Sequence, residues 1–555
     1  MSDRTFATHQ IRRAVPAPTL WDFAALDTTA PVPARLPVPS AWELVPALHN
    51  YRGRAHYTTR IRCGGNIRLS FGGVSFRARV LLDGNEIARH YGAFTAFETV
   101  VRHLPDGEHA LTVEVDNRFG EDSALHVPND YYSYGGITRP VVIEQLPDVF
   151  VERVGITTKR AADGWTADIS AAIRNLADED ASADVTLTLA GQTFTQTAHI
   201  PADSTAIIRI PDAHYADVTA WTPDTPALYA LRAEIREGNQ VLDDLIDRVG
   251  FREISISGMD LLLNGEKLRL MGFNRHEEYG AFGCAVPLQA MAQDILMMKD
   301  MGCNCVRTCH YPNDPRFLDL CDEMGLLVWE EAHARGLQEE QMRNPNFMPQ
   351  TRQCVREMVA QHRNHPSIFI WGCLNECADN CDYGADCYRE VYALLHDLDA
   401  SRPMTAALLE RPGSRVYGDS DVVSVNIYPQ WYHNTPVAES LAQKLKEIRE
   451  HGGAGKPVII SEIGAGGIYG YHDPLGESKW SEERQCTILR DQVEAVLKNP
   501  ACSGVFLWQF ADCRVTEELA MHRPKTHNNK GVVDEYRRPK MSYAVVKGLF
   551  TKHRA

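Results

Sequence analysis

The stretch Pro366-Ser-Ile-Phe-Ile-Trp-Gly-Cys-Leu-Asn-Glu-Cys377 joins a short apolar run to two abrupt polar residues. Residues 368–371 are Ile, Phe, Ile and Trp, enough for a strand that is buried on both faces. Asn375 and Glu376 follow that strand closely. Because barrel enzymes place catalytic groups at the carboxyl ends of their strands, the stretch predicts a catalytic carboxylate at Glu376. A loop glutamate without a function is the alternative at this point.

A second stretch, Lys456-Pro-Val-Ile-Ile-Ser-Glu462, repeats the pattern of a buried strand that ends in a glutamate. Two carboxylates that face one pocket are the minimal machinery for hydrolysing a glycosidic bond. One is held protonated to assist the leaving oxygen, and the other is ionised to attack or stabilise the sugar cation. Asn375 would then lie where it can hydrogen-bond the 2-hydroxyl of the sugar.

From Gly258 onward, apolar strands alternate with amphipathic helices, which is typical of a parallel sheet surrounded by helices. Eight strands over about 300 residues match the count and size of a TIM barrel, and we assign it to residues 257–555. The strands are predicted to end near Asn274, Thr308, Glu331, Trp371, Ala407, Asn426, Glu462 and Gln509. Helices are predicted at Gln289–Met301, Pro315–Met324, Gln350–His362, Leu441–His451 and Glu482–Lys498.

Polar and aromatic side chains are concentrated at these predicted strand ends. If they were purely structural, each would need a partner within its own loop, which is unconvincing for so many together. The set comprises Asn274, Arg275, His276, Glu277, Arg307, His310, Tyr311, Glu330, Glu331, His333, Arg335, Asn375, Glu376, Asn426, Tyr428, Tyr432, Glu462 and Trp508.

The chain before the barrel is predicted to form two β-sandwiches. Residues 1–146 carry short alternating runs and turn signals at Asp83-Gly84 and Pro105-Asp-Gly107, which predicts a jelly-roll-like sandwich of the sugar-binding kind. Its tyrosine-rich loop at 129–136 could serve packing or sugar binding. Residues 147–256 alternate clearly at 167–173 and 183–189, which predicts an immunoglobulin-like sandwich.

The composition excludes several classes of protein. The 555 residues carry a net charge of −16, which argues against nucleic-acid partners. An apolar run long enough for a transmembrane helix and a signal-like amino terminus are both missing, so we expect no membrane partner and a cytoplasmic location. The fourteen cysteines are expected to be free thiols. A zinc site among Cys373, Cys377, Cys381 and Cys387 is the less favoured alternative, because the cluster has no Cys-x-x-Cys pair.

Taken together, the chain resembles glycoside hydrolase family 2. The resemblance rests on the two sandwiches and barrel, on Asn375-Glu376 and Glu462, and on Leu263-Asn-Gly265, Gly272-Phe-Asn-Arg-His-Glu277 and Asn304-Cys-Val-Arg-Thr-Cys-His-Tyr-Pro312. It implies a retaining mechanism with Glu376 as general acid/base and Glu462 as nucleophile. It also implies that no cofactor or metal is required, and relatives of this kind form homo-oligomers.

Within that family, the chain is most similar to the β-glucuronidases. Their Asn-x-Lys motif, which holds the substrate carboxylate, corresponds here to Asn528-Asn-Lys530. A fixed amide and ammonium suit an anionic C6 group, because they form charge-assisted hydrogen bonds with it. Asp130, Tyr428, Tyr432 and Trp508 also match, and Asp130 is expected to reach the barrel mouth and accept a hydrogen bond from the C4 hydroxyl.

Three departures from the glucuronidase pattern are visible. Ile463 stands where glucuronidases usually have a tyrosine after the nucleophile. Arg335 stands where they have a small or apolar residue, and it could bind the carboxylate or an axial C4 hydroxyl. The segment 336–349 is short, which predicts an open aglycone side.

The sequence therefore predicts a retaining exo-β-glycosidase that hydrolyses terminal β-linked uronic acids from a small glycoside or an oligosaccharide, of β-glucuronidase type. A β-galacturonidase on the same scaffold is the nearest alternative, and a neutral-sugar β-galactosidase is less favoured. A carbohydrate-binding protein without catalysis is the alternative from another class.

Overall fold

The computed structural model describes residues 4–554, and the first 146 residues contribute a bent antiparallel sheet of eight strands. The sheet curves around a core that includes Trp21, Tyr57, Leu69 and Val113. Its spatial order is β1-β10-β4-β8-β6-β7, and β2 and β3 extend it beside β4, while β5 and β9 form a separate pair. The strands are β1 (Ala14–Pro16), β2 (Leu20–Ala25), β3 (Arg35–Pro37), β4 (Arg54–Phe71), β5 (Val74–Ser75), β6 (Arg77–Leu82), β7 (Asn85–Tyr91), β8 (Phe97–Asp116), β9 (Gly136–Ile137) and β10 (Val141–Leu146).

One of the two predicted turns in this sandwich is confirmed and the other is wrong. Asp83 and Gly84 join β6 to β7 with φ values of 50° and 80°, the left-handed conformation that a two-residue hairpin turn requires. Residues 105–107 do not reverse the chain but lie within β8, opposite Cys63 of β4. The pairing register shifts on either side of Gly65, so the turn residues produce an irregularity in a continuous ladder.

The second part is a sandwich of a three-stranded and a four-stranded antiparallel sheet, as expected for an immunoglobulin-like fold. Trp165, Val185, Leu231 and Phe251 are buried between the sheets. One sheet contains β11 (Val149–Ala161), β12 (Gly164–Asn175) and β15 (Thr205–Tyr215), and the other contains β14 (Gln192–Ile200), β13 (Ala181–Leu189), β16 (Tyr229–Glu237) and β17 (Gln240–Val249). The alternation read at 167–173 and 183–189 falls in β12 and β13.

A small three-stranded sheet lies at the junction with the barrel and consists of β18 (Ile254–Ser257), β19 (Asp260–Leu263) and β20 (Glu266–Lys267). Leu261 and Leu263 share a buried cluster with Trp221 and with the interior side chains Trp329 and Phe506 of the barrel strands. The sheet therefore covers the amino-terminal end of the barrel, away from its carboxyl-terminal mouth. The predicted domain boundary at 256/257 falls inside β18, and the boundaries themselves stay a prediction.

The TIM barrel is confirmed, with its fifth strand formed in two pieces. The parallel sheet runs β25-β24-β23-β22-β21-β29-β28-β27-β26, and its two ends are separated in the chain only by Ala406, so the ring closes through one interrupted strand. The strands are β21 (Leu270–Arg275), β22 (Cys305–Thr308), β23 (Leu327–Glu331), β24 (Ile368–Gly372), β25 (Met404–Thr405), β26 (Ala407–Leu408), β27 (Val423–Asn426), β28 (Val458–Ile463) and β29 (Gly504–Leu507).

Helices pack around the barrel and begin and end at recognisable signals. In α2, Asp314 accepts a hydrogen bond from the Arg316 amide at the start, and Gly325 ends the helix with φ of 71°. None of the helices within residues 4–554 is long and apolar enough to cross a membrane. The helices are α1 (Leu288–Asp300), α2 (Pro315–Met324), α3 (Glu339–Met342), α4 (Phe347–His362), α5 (Asp382–Leu398), α6 (Val437–Ile448), α7 (Glu482–Lys498), α8 (Glu517–Ala520) and α9 (Met541–Arg554), and the short strands β30 (Cys513–Arg514) and β31 (His527–Asn528) pair between α7 and α9.

Candidate active site

A pocket of about 450 Å³ opens at the carboxyl ends of the barrel strands. A loop of the N-terminal sandwich and the loop after the eighth barrel strand both contribute to its wall. The lining side chains are mostly charged or aromatic, which is unusual for a protein interior and typical of a site for a polar ligand. They are Asp130, Arg335, Glu376, Leu409, Glu410, Asn426, Tyr428, Tyr432, His433, Glu462, Trp508, Arg523 and Lys530.

Glu376 lies four residues beyond the end of β24, in a turn where its own φ is 52°. Its backbone N–H donates to the carbonyl of Ala407 at 2.9 Å, which fixes the turn against the fifth strand. Its carboxylate accepts a hydrogen bond from Asn426 Nδ2 at 2.9 Å and lies 3.4 Å from Arg335 Nη2. The side chain is 12% exposed, so the carboxylate is fixed but open to the pocket.

Glu462 belongs to β28 and is almost fully buried. One carboxylate oxygen accepts a hydrogen bond from Arg307 Nη1 at 2.9 Å, and the other accepts from the Tyr428 hydroxyl at 2.6 Å. Burial raises the pKa of Glu462, the nearby charge of Glu376 raises it further, and Arg307 and Tyr428 oppose both effects. The two hydrogen bonds fix the orientation of both carboxylate oxygens.

Arg307 is a fully buried cation that organises the floor of the pocket. Besides Glu462, its guanidinium donates to both carboxylate oxygens of Glu331 at 2.8 Å and to the side-chain oxygens of Asn274 and Asn375 at 2.8 Å. Burial raises the pKa of Glu331 to about 7 despite this contact. A planar guanidinium with five donors is suited to fixing several acceptors at once.

Asn375 has a donor that the protein leaves available. Its side-chain oxygen accepts from Arg307, but its Nδ2 is buried and has no hydrogen-bond partner among residues 4–554. A buried donor without a partner is costly unless a ligand or water satisfies it. Asn426, beside it, receives a hydrogen bond from Ser461 at 2.7 Å, so the orientation of its amide is fixed.

Two histidines pack against Trp508, which lines the pocket. The His310 ring stacks on Trp508 with 5.0 Å between ring centroids, and His276 meets Trp508 edge-on at 5.4 Å. Burial lowers the pKa of His276 to about 3 and holds that of His310 well below its ordinary value. Both imidazoles are therefore neutral and present hydrogen-bonding groups without charge.

Asp130 reaches the barrel mouth from the N-terminal sandwich, at the position predicted for it. Its carboxylate accepts two hydrogen bonds from Arg523, at 2.7 and 2.5 Å, and one from Asn528 Nδ2 at 2.9 Å. Burial alone would raise the pKa of Asp130, but the Arg523 guanidinium holds it below its ordinary value. The carboxylate is therefore ionised.

Lys530 points towards the aromatic residues that follow the sixth strand. Its Nζ donates to the Tyr432 hydroxyl at 2.6 Å and lies 5.1 and 4.9 Å from the ring centroids of Tyr428 and Tyr432. The cation is almost fully buried but lines the pocket. Its contacts are a hydroxyl and two aromatic faces, so it is available for an anionic ligand.

Arg335 connects the sandwich loop to the catalytic region. Its Nη1 donates to the Asn129 side-chain oxygen at 2.6 Å, and its Nη2 lies 3.4 Å from Glu376. Its Nε is buried without a partner among the described residues. The guanidinium therefore faces the pocket on the same side as Glu376.

The structure brings all thirteen predicted site residues to this end of the barrel, and it adds residues that the sequence did not single out. Arg523 lies in a polar loop without a periodic pattern, so only the fold reveals it. Leu409 and Glu410 follow the fifth strand directly, and the rule that polar residues after barrel strands face the pocket would have found Glu410.

Two groups of buried side chains could each offer three ligand atoms to a metal ion. Within residues 4–554, close groups of three or more ligand atoms occur at His276, Cys309 and His310 and at Asp319, Asp322 and His365. The four cysteines for which zinc was the alternative are not among these groups, and all fourteen cysteines are free. In the second group, Arg4 already holds Asp319 through hydrogen bonds at 2.6 and 3.0 Å.

Comparison with known families gives two matches that cover most of the chain. Residues 254–554 match the model described as "Glycosyl hydrolases family 2, TIM barrel domain", and residues 149–252 match the model "Glycosyl hydrolases family 2". The matched region contains Glu376, Glu462 and Lys530. Asp130 lies outside both matches.

Known proteins that are similar in sequence or structure include a β-galacturonidase and a β-glucuronidase. A crystal structure of a β-galacturonidase from Eisenbergiella tayi bound to galacturonate is 46% identical, with a TM-score of 0.97 and 99% of each chain covered. A β-glucuronidase of Streptococcus agalactiae is 28% identical over 85% of this chain and 83% of its own length. A Formosa agariphila relative is 28% identical over 87% of this chain, which spans 62% of that protein.

Proposed function

The chain belongs to glycosyl hydrolases family 2, and from this membership we propose that it is a retaining exo-β-glycosidase that removes terminal β-linked uronic acids and prefers β-galacturonides to β-glucuronides. It is a glycoside hydrolase with a C-terminal TIM barrel. The proposal concerns the sugar and the roles of individual residues. The preference for galacturonides rests on the position of Arg335.

We propose that Glu462 is the nucleophile and Glu376 the general acid/base. Glu376 protonates the glycosidic oxygen while the Glu462 carboxylate attacks C1, which breaks the bond to the leaving group and forms a glycosyl-enzyme ester. Glu376, now ionised, then takes a proton from water, which attacks C1 and releases Glu462. The contacts of Arg307 and Tyr428 with Glu462 support this assignment, because they keep its attacking oxygens oriented.

Recognition of the sugar is assigned to the remaining residues of the pocket. The partnerless Nδ2 of Asn375 supports contact with the 2-hydroxyl, an interaction that strengthens in the transition state. Lys530, assisted by Asn528, supports binding of the C6 carboxylate, since a carboxylate would complete its coordination beside the Tyr432 hydroxyl. His276, His310 and Trp508 form the wall against which the sugar ring rests, and Asn426 orients Glu376.

The position of Arg335 supports an axial C4 hydroxyl. In a retaining β-glycosidase the nucleophile approaches the α face of the ring and the acid/base lies on the side of the leaving group. The axial 4-hydroxyl of a galacturonide projects from the β face, whereas the equatorial hydroxyl of a glucuronide does not. Arg335 is beside Glu376, and its Nε, which has no hydrogen-bond partner among residues 4–554, offers a donor on that side. Asp130 supplies a charged acceptor for the same hydroxyl.

The proposal is tested by comparing kcat/KM for nitrophenyl β-galacturonide, β-glucuronide and β-galactoside. We expect the galacturonide to be cleaved at least roughly tenfold better than the glucuronide, a difference typical of one well-placed polar contact. Arg335→Ala should narrow that ratio. Arg343→Ala is the matched control, because Arg343 pairs with Glu339 on the exposed face of α3 and should leave the ratio unchanged.

The possible outcomes separate the parts of the proposal. A higher kcat/KM for the glucuronide would contradict the galacturonide preference and leave the uronidase function intact. Efficient cleavage of the galactoside that persists in Lys530→Ala would contradict the uronic acid specificity.

We also propose that the enzyme acts in the cytoplasm on soluble glycosides or oligosaccharides, without nucleic-acid or membrane partners, and that it assembles as a homo-oligomer. The free state of all fourteen cysteines supports a reducing compartment. Light scattering of the purified protein tests the assembly, and cell fractionation tests the location.

A further inference from the structure

We propose that Glu410 selects the leaving group by charge, so that the natural substrate carries its terminal uronic acid on a neutral sugar or a cationic group and not on a second uronate. The inference rests on the proposed function, because it concerns the group on the other side of the bond that Glu376 and Glu462 break.

Glu410 is fixed in the pocket wall by hydrogen bonds from its surroundings. It follows β26, and its Oε2 accepts from the Tyr428 backbone N–H at 3.0 Å while its Oε1 accepts from Ser440 Oγ at 3.2 Å. His433 Nε2 lies 3.5 Å from the same Oε2. The side chain is 27% exposed and lines the pocket, so the carboxylate is not fully covered by these contacts.

The barrel geometry places Glu410 on the leaving-group side. In a ring of eight strands, the fourth and the eighth lie opposite each other. Asp130 and Lys530, which are assigned to C4 and C6 of the sugar, come from the sandwich and from the loop after the eighth strand, whereas Arg335, also assigned to C4, follows the third strand. The acid/base Glu376 follows the fourth strand and must contact the glycosidic oxygen. The leaving group therefore extends over the fourth to sixth strands, where Leu409, Glu410 and His433 line the pocket.

Within residues 4–554, no lysine or arginine forms an ion pair with Glu410, and the nearest group that could carry a positive charge is His433, at 3.5 Å. Arg411, the next residue, is directed to Asp379, to which its Nε donates at 2.8 Å. Lys444 is bound to Glu447 at 2.7 Å. Lys530 contacts Tyr432 and is assigned to the C6 carboxylate of the sugar, Arg523 is bound to Asp130, and Arg335 is held by Asn129 of the sandwich loop. A like-charged group placed near a partly buried carboxylate is strongly disfavoured.

Neutral sugars fit the chemistry of this side. A carboxylate accepts hydrogen bonds from sugar hydroxyls, and the imidazole of His433, 3.5 Å from it, offers a flat aromatic ring in the same part of the pocket. Leu409 adds an apolar contact. A carboxylate, an aromatic ring and an aliphatic side chain together suit a hydroxylated pyranose and oppose an anionic one.

The test uses three aryl β-galacturonides that differ only in the para substituent of the leaving phenol: 2-carboxyethyl, 2-hydroxyethyl and 2-(trimethylammonio)ethyl. The two-carbon spacer separates the charge from the phenol and prevents elimination to a quinone methide, so the leaving ability stays similar across the series. We expect kcat/KM of the wild type to rise from the anionic through the neutral to the cationic substrate, with at least roughly tenfold between the extremes. In Glu410→Gln the spread should fall below about threefold.

Glu439→Gln is the matched control, because Glu439 is exposed on α6 and the substitution removes the same charge outside the pocket. It should keep the wild-type spread. A second measurement needs no variant: about 0.5 M salt should compress the spread of the wild type, since screening weakens charge selection. Turnover with equal kcat/KM across the series, or a spread that survives in Glu410→Gln, would overturn the role of Glu410 alone. Absence of turnover on all three substrates and on the corresponding glucuronides would instead overturn the proposed function, and this inference with it.

Discussion

Arg523 donates two hydrogen bonds to Asp130, at 2.7 and 2.5 Å, and so ties the loop after the last barrel strand to a loop of the N-terminal sandwich. Asn528 adds a third hydrogen bond to the same carboxylate. Hence a carboxylate of the N-terminal sandwich is oriented at the pocket mouth by two residues that follow the last barrel strand. Its position depends on the contact between the sandwich and the barrel.

Removal of the Arg523 side chain should therefore reduce activity without abolishing the fold. In Arg523→Ala, Asp130 loses two charge-assisted hydrogen bonds and is no longer oriented, and we expect kcat/KM on the preferred uronide to fall roughly 100-fold. Steady-state kinetics measures the loss and a thermal melt checks folding. Arg389→Ala, which removes an exposed arginine paired with Asp386 and Asp419, should change neither. A loss below about threefold in Arg523→Ala would mean that this pair does not orient the site.

The two carboxylates should respond differently to substitution. Glu462→Gln removes the nucleophile, and we expect a loss of at least roughly 10⁴-fold on every substrate. Glu376→Ala removes the proton donor, so hydrolysis should slow most for leaving groups that need protonation and least for dinitrophenol. Added azide should accelerate Glu376→Ala, because a small anion can attack the ester without a general base, and should yield a β-glycosyl azide. An α-glycosyl azide, or azide rescue of Glu462→Gln alone, would mean that Glu376 is the nucleophile and Glu462 the general acid/base.

The acid limb of the pH profile should report Glu462. Its pKa is raised above the ordinary glutamate value of 4.5, first by burial and then by Glu376, and attack requires the ionised form. Activity should therefore decline as pH falls, beginning above that ordinary value. The Tyr428 hydroxyl lowers this pKa, so Tyr428→Phe should move the acid limb of kcat/KM to higher pH. A limb that stays in place or moves to lower pH in Tyr428→Phe would assign it to another group.

Asn375 should act only through the 2-hydroxyl. Its Nδ2 has no partner among residues 4–554, so Asn375→Ala removes a donor reserved for substrate and should lower kcat roughly 100-fold. The same substitution should have little further effect on a 2-deoxy substrate, which lacks the acceptor. Equal losses on both substrates would show that Asn375 acts by holding Arg307 instead.

Sequence patterns predicted the barrel well because its strands are buried on both faces and end in polar residues. The rule that polar and aromatic residues at the ends of barrel strands face the pocket was sufficient to select Glu376, Asn426, Glu462 and Trp508 as pocket residues. Applied to the strand predicted to end near Ala407, the same rule would also have found Glu410, although the strand before it is only two residues long. Asp130 was found only through the family resemblance.

Other features depend on contacts that no local pattern contains. Arg523 lies in a loop, and its role comes from a residue 393 positions away in the chain. The turn signal at Pro105-Asp-Gly107 failed for a similar reason, since pairing with β4 holds β8 continuous through it. Tertiary contacts overrode the local turn signal at residues 105–107. They also give Arg523 a role that the neighbouring sequence does not indicate.

The mouth of the pocket combines a sandwich loop with a barrel that carries both carboxylates. Asp130 or its loop can be exchanged without altering the barrel strands that position Glu376 and Glu462. Under the proposed role of Asp130 at C4, substitutions there would change which stereoisomer is preferred while both barrel carboxylates stay in place. The architecture thus allows new sugar specificities to arise by substitution in the N-terminal sandwich, while the barrel strands that position the two carboxylates stay the same.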